Sequence, residues 1–339
     1  METNLKPNEN LSSEQKPFKE LVFEKEIFYI SFIDNKSKIA IGMLNNIIEI
    51  YSSDLNQKLI TISNQPSSFF TELSDKTKEK EITKIKLLCC SYNYIMKILE
   101  IIIIKDKIGY NLLYSFHPNE SRNEISKAIE LTNENKNIVS IDENNIIIYE
   151  YIKDENYFEF KKIQTEGAND ILNLNNNLFC VSLKNKGIIQ FYDSLKFELI
   201  GEIEHIETYG CNDYLCKLNE NFLFVGGFDY ISLIDIRYKQ LNTKIELIKY
   251  KERITCTYSI IDKSIIIVGT KYKNKIDEFS YDIIIYKLDE NNNLKIIQRY
   301  TNAHNKIINS ILWIPGKIIS CSEDKKVKIW NLNIILNQW

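Results

Sequence analysis

The sequence predicts an all-β fold made of repeated, stacked antiparallel sheets, and three observations carry that expectation. Short apolar runs recur along the whole chain, separated by clusters of Asn, Asp, Lys and Ser, with no helical periodicity. Many of these runs, such as Ile101 to Ile104, Ile146 to Tyr149, Ile265 to Val268 and Ile283 to Tyr286, are apolar almost throughout. A sheet with one solvated face alternates more cleanly, so continuous runs point to strands covered on both sides. The third observation is a recurring aromatic position. An aromatic residue closes an apolar run at Tyr51, Tyr114, Tyr149, Tyr192, Tyr286 and Trp330, and Ile234 fills the remaining slot. Successive gaps are 63, 35, 43, 42, 52 and 44 residues, a mean of 46.5 over the six gaps from Tyr51 to Trp330. That is close to the roughly 40–45 residues of a four-stranded propeller blade. Seven slots give a single seven-bladed β-propeller of four-stranded antiparallel blades, with six and eight blades as the alternatives.

The elements follow in order. Residues 1–15 are polar and carry no apolar core of a secretory signal, so a disordered tail is expected there, with the propeller over 16–339. Residues 18–24 precede the first innermost strand, while only nine residues follow Trp330, too few for a full fourth strand. An N-terminal strand is therefore expected to close the last blade and hide sheet edges that would otherwise pair with other chains. Residues 63–81 read as a polar insertion between an outermost strand and the next innermost one. Residues 271–281 lengthen the turn before the third strand of the sixth blade. In the second blade, Ile95 to Phe116 offers several ways to set strands, and Tyr114 is assigned the aromatic slot. Glycine is scarce, at 10 residues, and Asn-Asn pairs take its place in turns because Asn tolerates left-handed backbone.

Composition narrows the function classes. Charged residues make up 26% and apolar ones 44% of the 339 residues, as in ordinary soluble globular proteins. A net charge of −3 without a basic stripe gives no nucleic-acid signal. The longest apolar run, Ile98 to Ile104, is interrupted by Glu100 and falls far short of the roughly 20 residues that span a bilayer, so no membrane partner is expected. Seven Cys form an odd set, and most of them, such as Cys180, Cys256 and Cys321, lie inside strand-like runs. Free buried thiols in a reducing compartment, cytoplasm or nucleus, are the simple reading. Cys89-Cys90 and Cys211-x4-Cys216 lack metal-site spacing and no His pair completes them, so no metal and no cofactor are expected.

The closing stretch is the most specific. It runs Ala303-His304, then Ile307 to Trp313, then Ser320-Cys321-Ser322-Glu323-Asp324, then Val327 to Asn331. His304 falls in a polar loop, Asp324 in a tight turn, and Ser320 and Trp330 on flanking strands. Asp accepts from an imidazole N–H, the other ring nitrogen accepts from a Ser hydroxyl, and Ser accepts from an indole N–H. This stretch resembles one repeat of the WD-repeat family, in which those four residue types form a structural network. The resemblance places that network on His304, Ser320, Asp324 and Trp330. A Ser, a His and an Asp could also suggest a nucleophilic triad, but no strained nucleophile turn or Gly-rich oxyanion loop accompanies them.

The resemblance is clear over 304–333 and diffuse over 18–303. It implies a rigid, non-enzymatic platform for other proteins, a scaffold or adaptor with no small-molecule substrate. In such propellers both insertions belong to loop classes that share one face, and they carry Phe69, Phe70, Tyr272, Phe279 and Tyr281. Aromatic residues in polar loops suit interface anchors; the alternative is that the rings fold back to pin their own loops. Ile234-Asp235-Ile236-Arg237 resembles the W-D-x-R ending of propellers that serve as substrate receptors of cullin-RING ubiquitin ligases. Asp235 and Arg237 match that pattern and Ile234 departs from it. A propeller hydrolase is a further alternative, but the three His (117, 205 and 304) fall in no metal or triad motif. Lipid-binding propellers carry F-R-R-G, and Gly226-Gly227-Phe228-Asp229 lacks the arginine pair.

Overall fold

The computed structural model describes residues 12–13, 16–79, 81–91, 95–105, 107–116, 125–132, 135–152, 156–183, 187–204, 214–228, 230–237, 244–249, 252–273 and 278–332. Among them, strands form seven antiparallel sheets of a seven-bladed β-propeller, and the single helical element is the 3-10 turn Ile261–Lys263. The first blade is Ile27–Ile33, Lys38–Met43, Ile47–Ser52 and Lys58–Ser63. The second is Phe69–Glu72, Ile82–Ser91, Ile95–Ile104 and Lys107–Phe116, with Thr77–Glu79 paired to the start of Ile82–Ser91. Ile125–Glu130, Ile138–Asp142, Asn145–Ile152 and Asn156–Gln164 form the third. Ala168–Asn175, Leu178–Leu183, Ile188–Asp193 and Leu199–Glu204 form the fourth. The fifth is Tyr214–Lys217, Phe222–Gly226, Tyr230–Asp235 and Lys244–Lys249; the sixth is Arg253–Ile260, Ile265–Lys273, Phe279–Leu288 and Leu294–His304. The seventh takes Ile308–Ile314, Lys317–Ser322 and Lys326–Asn331 from the C-terminal end and Lys19–Val22 from the N-terminal end. Lys19 stands opposite Ile329 and Val22 opposite Lys326, the closing strand expected from residues 18–24.

Two expectations need correction. Tyr114 does not lie on the third strand of its blade. It sits on the outermost one, where its hydroxyl donates to the Tyr157 carbonyl and its ring meets Phe116 and Tyr157 edge-on. The slot belongs to Leu99, fully buried, 48 residues after Tyr51 and 50 before Tyr149. The second correction concerns residues 63–81, which are not a loop: Phe69–Glu72 is the innermost strand of the second blade, and Thr77–Glu79 is paired as well. The tail also differs from expectation at one point. Ser12–Ser13 pair in parallel with Leu294–His304, Ser12 opposite Arg299 and Ser13 opposite Tyr300. An outermost strand leaves unpaired N–H and C=O groups that an extended segment can satisfy.

With Leu99 in place, the repeat becomes a register rule. In six blades the third and fourth strands shift register immediately before the slot residue, namely Tyr51, Leu99, Tyr149, Tyr192, Ile234 and Tyr286. A bulge there lets one extra residue of the outer strand face a single slot residue and sharpens the local twist.

The chain divides into two compact units, Met1–Ile30 with Tyr214–Trp339, and Ser31–Asp213. Within Ser31–Asp213, blades meet closely. A Cβ added to Gly42 would come within 2.1 Å of the Ser67 carbonyl oxygen and 2.8 Å of the Phe70 ring, so only glycine lets the first blade approach the second there. On the turns between first and second strands, carboxylates stitch successive blades. Glu72 accepts the Asp34 N–H at 2.7 Å, and Glu130 accepts the Ser74 N–H at 2.6 Å. Lys76 lies 2.6 Å from the Asp34 carboxylate and 4.0 Å from that of Glu72. Within the other unit, one core cluster gathers Trp330, Tyr300, Ile311 and Ile318 from the sixth and seventh blades, and another gathers Phe224, Ile254 and Tyr286 from the fifth and sixth.

Candidate functional site

The four-residue chain joins the sixth and seventh blades. The strand Leu294–His304 delivers His304 at its end, and the turn 323–325, with Lys325 at φ 67°, delivers Asp324. The His304 Nδ1–H donates to Asp324 Oδ2 at 2.9 Å, the Ser320 hydroxyl donates to His304 Nε2 at 2.8 Å, and the Trp330 Nε1–H donates to Ser320 Oγ at 2.9 Å. Asp324 accepts two further backbone donors, from Asn305 at 3.1 Å and Lys326 at 3.1 Å. Lys328 closes the loop by donating to the Ala303 carbonyl at 2.7 Å. The Ser–His–Asp connectivity is that of a nucleophile triad, but Ser320 has no exposed surface and its oxygen is already occupied by the indole. A substrate cannot reach it; the chain ties the end of the sixth blade's last strand to the turn and strands of the seventh.

This network sets an acid sensitivity. Burial lowers the pKa of His304 from its ordinary 6.5, so the ring is neutral in the folded protein near pH 7. For Asp324, burial works against ionisation, but the bonds from His304 and Asn305 outweigh it and hold the carboxyl below its ordinary 3.8. Below pH 6.5 the unfolded chain takes up a proton on His304 that the folded one refuses, so stability falls with acidification. Asp324 adds a second loss as pH drops through its lowered folded value. The expected outcome is a melting temperature that declines from pH 7 to 5, with a shallower decline in His304→Gln, measured by thermal unfolding across pH.

The sixth blade carries an exposed aromatic residue on a long hairpin. Ile265–Lys273 and Phe279–Leu288 form a long hairpin in which Lys271 stands opposite Tyr281, Tyr272 opposite Ser280 and Lys273 opposite Phe279. The lengthening expected over 271–281 is therefore mostly paired strand, and residues 274–277 lie outside the described residues. Phe279 is 51% exposed, with the Lys271 ammonium 4.1 Å and that of Lys273 5.8 Å from its ring centre. Tyr281 is half-buried against the Trp330 cluster, and burial, aided by the Glu323 charge, raises its hydroxyl pKa. Tyr272 lies 5.2 Å below the Arg299 guanidinium.

Beneath this hairpin is a charged cluster that sequence reasoning missed. Arg299 Nε donates to Asp282 at 2.7 Å and Nη2 donates to Glu252 at 2.7 Å. Asp282, fully buried, also accepts from the Ser280 hydroxyl at 2.8 Å and the Asn302 N–H at 2.9 Å. A buried carboxylate needs such partners. The one signal was Asp282 itself, a lone charge at the head of the run Ile283–Tyr286, which obliges a cation to lie nearby; that the cation would be Arg299 follows from pairing alone.

The remaining predicted residues are placed as follows. Phe70 has no exposed surface, and Phe69 is half-buried beside the second-blade core with the Lys127 ammonium 5.5 Å from its ring centre. Phe70 lies in the blade interior and Phe69 at its edge, both on a strand and not in a loop. Asp235 and Arg237 meet each other: Arg237 Nε donates to both carboxylate oxygens at 3.0 and 3.1 Å, its guanidinium carbon lies 5.4 Å from the Phe222 ring centre, and the pairing lowers the Asp235 pKa. His117, His205 and Cys211 lie outside the described residues. The six other cysteines are buried. Among the described residues, no group of three or more His, Cys, Asp or Glu could hold a metal ion, and no helix is long and apolar enough to cross a membrane.

No family model matches the chain, and no curated protein matches it. Solved structures do. The chain is similar to Chaetomium thermophilum Raptor, with a TM-score of 0.70 and 14% identity over 94% of this chain and 28% of that one. It is similar to the β-propeller domain of Myceliophteria thermophila Cps50 (Swd1), with a TM-score of 0.67 and 12% identity over 94% of this chain and 100% of that one. A chain of the Mitotic Checkpoint Complex gives a TM-score of 0.64 and 12% identity over 94% of this chain and 96% of that one. At these identities the likeness establishes the propeller fold.

Proposed function

We propose that this chain is a non-enzymatic platform for other proteins, a scaffold or adaptor subunit in the cytoplasm or nucleus, and that the sixth-blade hairpin takes a partner. The observation that carries this reading is Phe279, half in solvent on a paired strand and flanked by Lys271 and Lys273. An aromatic residue held rigidly in the open suits an interface anchor, because little ordering entropy remains to be lost on binding. Cationic neighbours favour a partner surface bearing carboxylates around an apolar pocket. The fold likeness to a chain of the Mitotic Checkpoint Complex supports a place in an assembly. The non-catalytic part of the reading rests on His304 and Ser320 being consumed by the chain that joins the sixth and seventh blades.

Affinity capture with the wild type and Phe279→Ser tests it. An anchor of about 2 kcal/mol predicts recovery of the partner reduced roughly 30-fold at limiting concentration. The melting temperature should be unchanged, since the ring is exposed. Equal recovery by both proteins would contradict the assignment to this hairpin.

A further inference from the structure

The outer strand of the third blade, Asn156–Gln164, ends its sheet, and among the described residues no strand pairs with its outer edge. Such an edge presents unpaired N–H and C=O groups and is a template for another strand unless it is covered or blunted by charge. This one is apolar in its middle. Phe158 is 42% and Phe160 51% exposed, and their ring centres lie 6.3 Å apart.

The bulge in this strand decides which side chains share a face. Lys161 and Ile163 stand opposite Ile148 and Ile146, which pack toward the fourth blade, and the Phe160 ring meets Phe197 of that blade at 5.9 Å. Glu159 and Lys162 stand opposite Tyr149 and Ile147, which pack toward the second blade. Three positions apart, Glu159 and Lys162 would fall on opposite faces of a regular strand; the extra residue between them brings them to the same one. Phe158, next to Glu159, points the other way, toward Phe160.

The strand is thereby complementary to itself. Laid antiparallel on its own copy with Glu159 opposite Lys162, it sets Phe158 opposite Ile163 and Phe160 opposite Lys161, each pair occurring twice and each on one face. Opposite charges and apolar pairs directly across two strands are what stabilise their pairing. The two bulges meet on the twofold axis, so the same kink faces the same kink. Glu159 and Lys162 are both exposed, and no ion pair engages either of them among the described residues. The other outer strands with described side chains lack this match. Leu199–Glu204 has no cation, and Lys58–Ser63, Lys107–Phe116 and Leu294–His304 have no carboxylate. In Lys19–Val22, Glu20 is already held by Lys326 at 2.7 Å.

We propose that the outer strand of the third blade is a self-association surface that takes the same strand of a second copy, antiparallel, about an axis between residues 160 and 161. The two third blades then form one continuous sheet, a closed twofold contact that leaves neither strand edge open. This surface lies in Ser31–Asp213, whereas Phe279 belongs to the other compact unit, so the two contacts are independent.

Sedimentation velocity of the full chain over a series of concentrations tests the proposal. The expected result is a monomer–dimer equilibrium in the wild type. Glu159→Lys and Lys162→Glu each set like charges opposite one another at two places, and each should weaken dimerisation about tenfold. Mixed together, the two variants should dimerise as tightly as the wild type, because every charge then meets its opposite; the doubly substituted chain should do the same. Both positions are exposed, so all the variants should melt like the wild type. A monomer at every concentration, single variants that dimerise like the wild type, or a mixture no tighter than its components would each overturn the proposal. Each of those failures leaves partner capture through Phe279 untouched, and the reverse also holds.

Discussion

Trp330→Ala is expected to lower the unfolding free energy by about 3–5 kcal/mol, the range for emptying a buried large aromatic site. Trp330 is 2% exposed and packs with Tyr300 at a centroid distance of 5.3 Å inside the cluster that joins the sixth and seventh blades. Two losses combine: the dispersion contacts of the ring, and the Nε1–H donor that ends the Ser320–His304–Asp324 chain. They separate experimentally. Trp330→Phe keeps most of the ring contacts and removes the donor, so it should cost about 1 kcal/mol beyond its change in volume. Since a domain is typically stable by about 5–15 kcal/mol, the alanine variant should be near the edge of folding. Urea unfolding of the three proteins checks the order: wild type, Trp330→Phe, Trp330→Ala.

Phe70→Ala is expected to cost a similar amount, about 3–5 kcal/mol, and Phe69→Ala roughly 1–2 kcal/mol. Phe70 is wholly buried on the innermost strand of the second blade, opposite Cys89, with its ring against the backbone at Gly42. No relaxation short of moving a neighbouring blade can fill that space. Phe69 keeps part of its surface in solvent and gains mainly from the second-blade core and Lys127. If both were partner anchors in a free loop, neither substitution would move the unfolding midpoint. Denaturant unfolding of the two single variants distinguishes the cases, and a midpoint shift much larger for Phe70 than for Phe69 is the expected result.

These two residues also mark how far the sequence could be read. Trp330 was legible because it and its partners lie within 26 residues of His304, in a stretch that resembles one repeat of the WD-repeat family. Five of the seven slots carry Trp or Tyr and stand out on composition alone, and even Ile234 falls where the period requires. Leu99 did not stand out, because an aliphatic slot inside Ile98–Ile104 looks like any other position of that run. Tyr114 drew the assignment away, although the resulting gaps of 63 and 35 were themselves a sign of misregister. The bulge opposite six of the slots has no local sequence mark, since it depends on how two strands pair. Phe69 and Phe70 were misplaced for a related reason: the stretch around them is polar, and burial against Gly42 comes from another blade. The Arg299–Asp282–Glu252 cluster joins residues as many as 47 positions apart, and pairing of charges at that range is a property of the fold.

Partner binding is proposed at the exposed hairpin of the sixth blade, and hydrogen–deuterium exchange on the full chain with its captured partner tests that proposal most directly. The predicted result is slowed exchange at the backbone of residues 271–273 and 278–281 on partner addition, lost with Phe279→Ser. Unchanged exchange over 271–281, with protection confined to other blades, would contradict it.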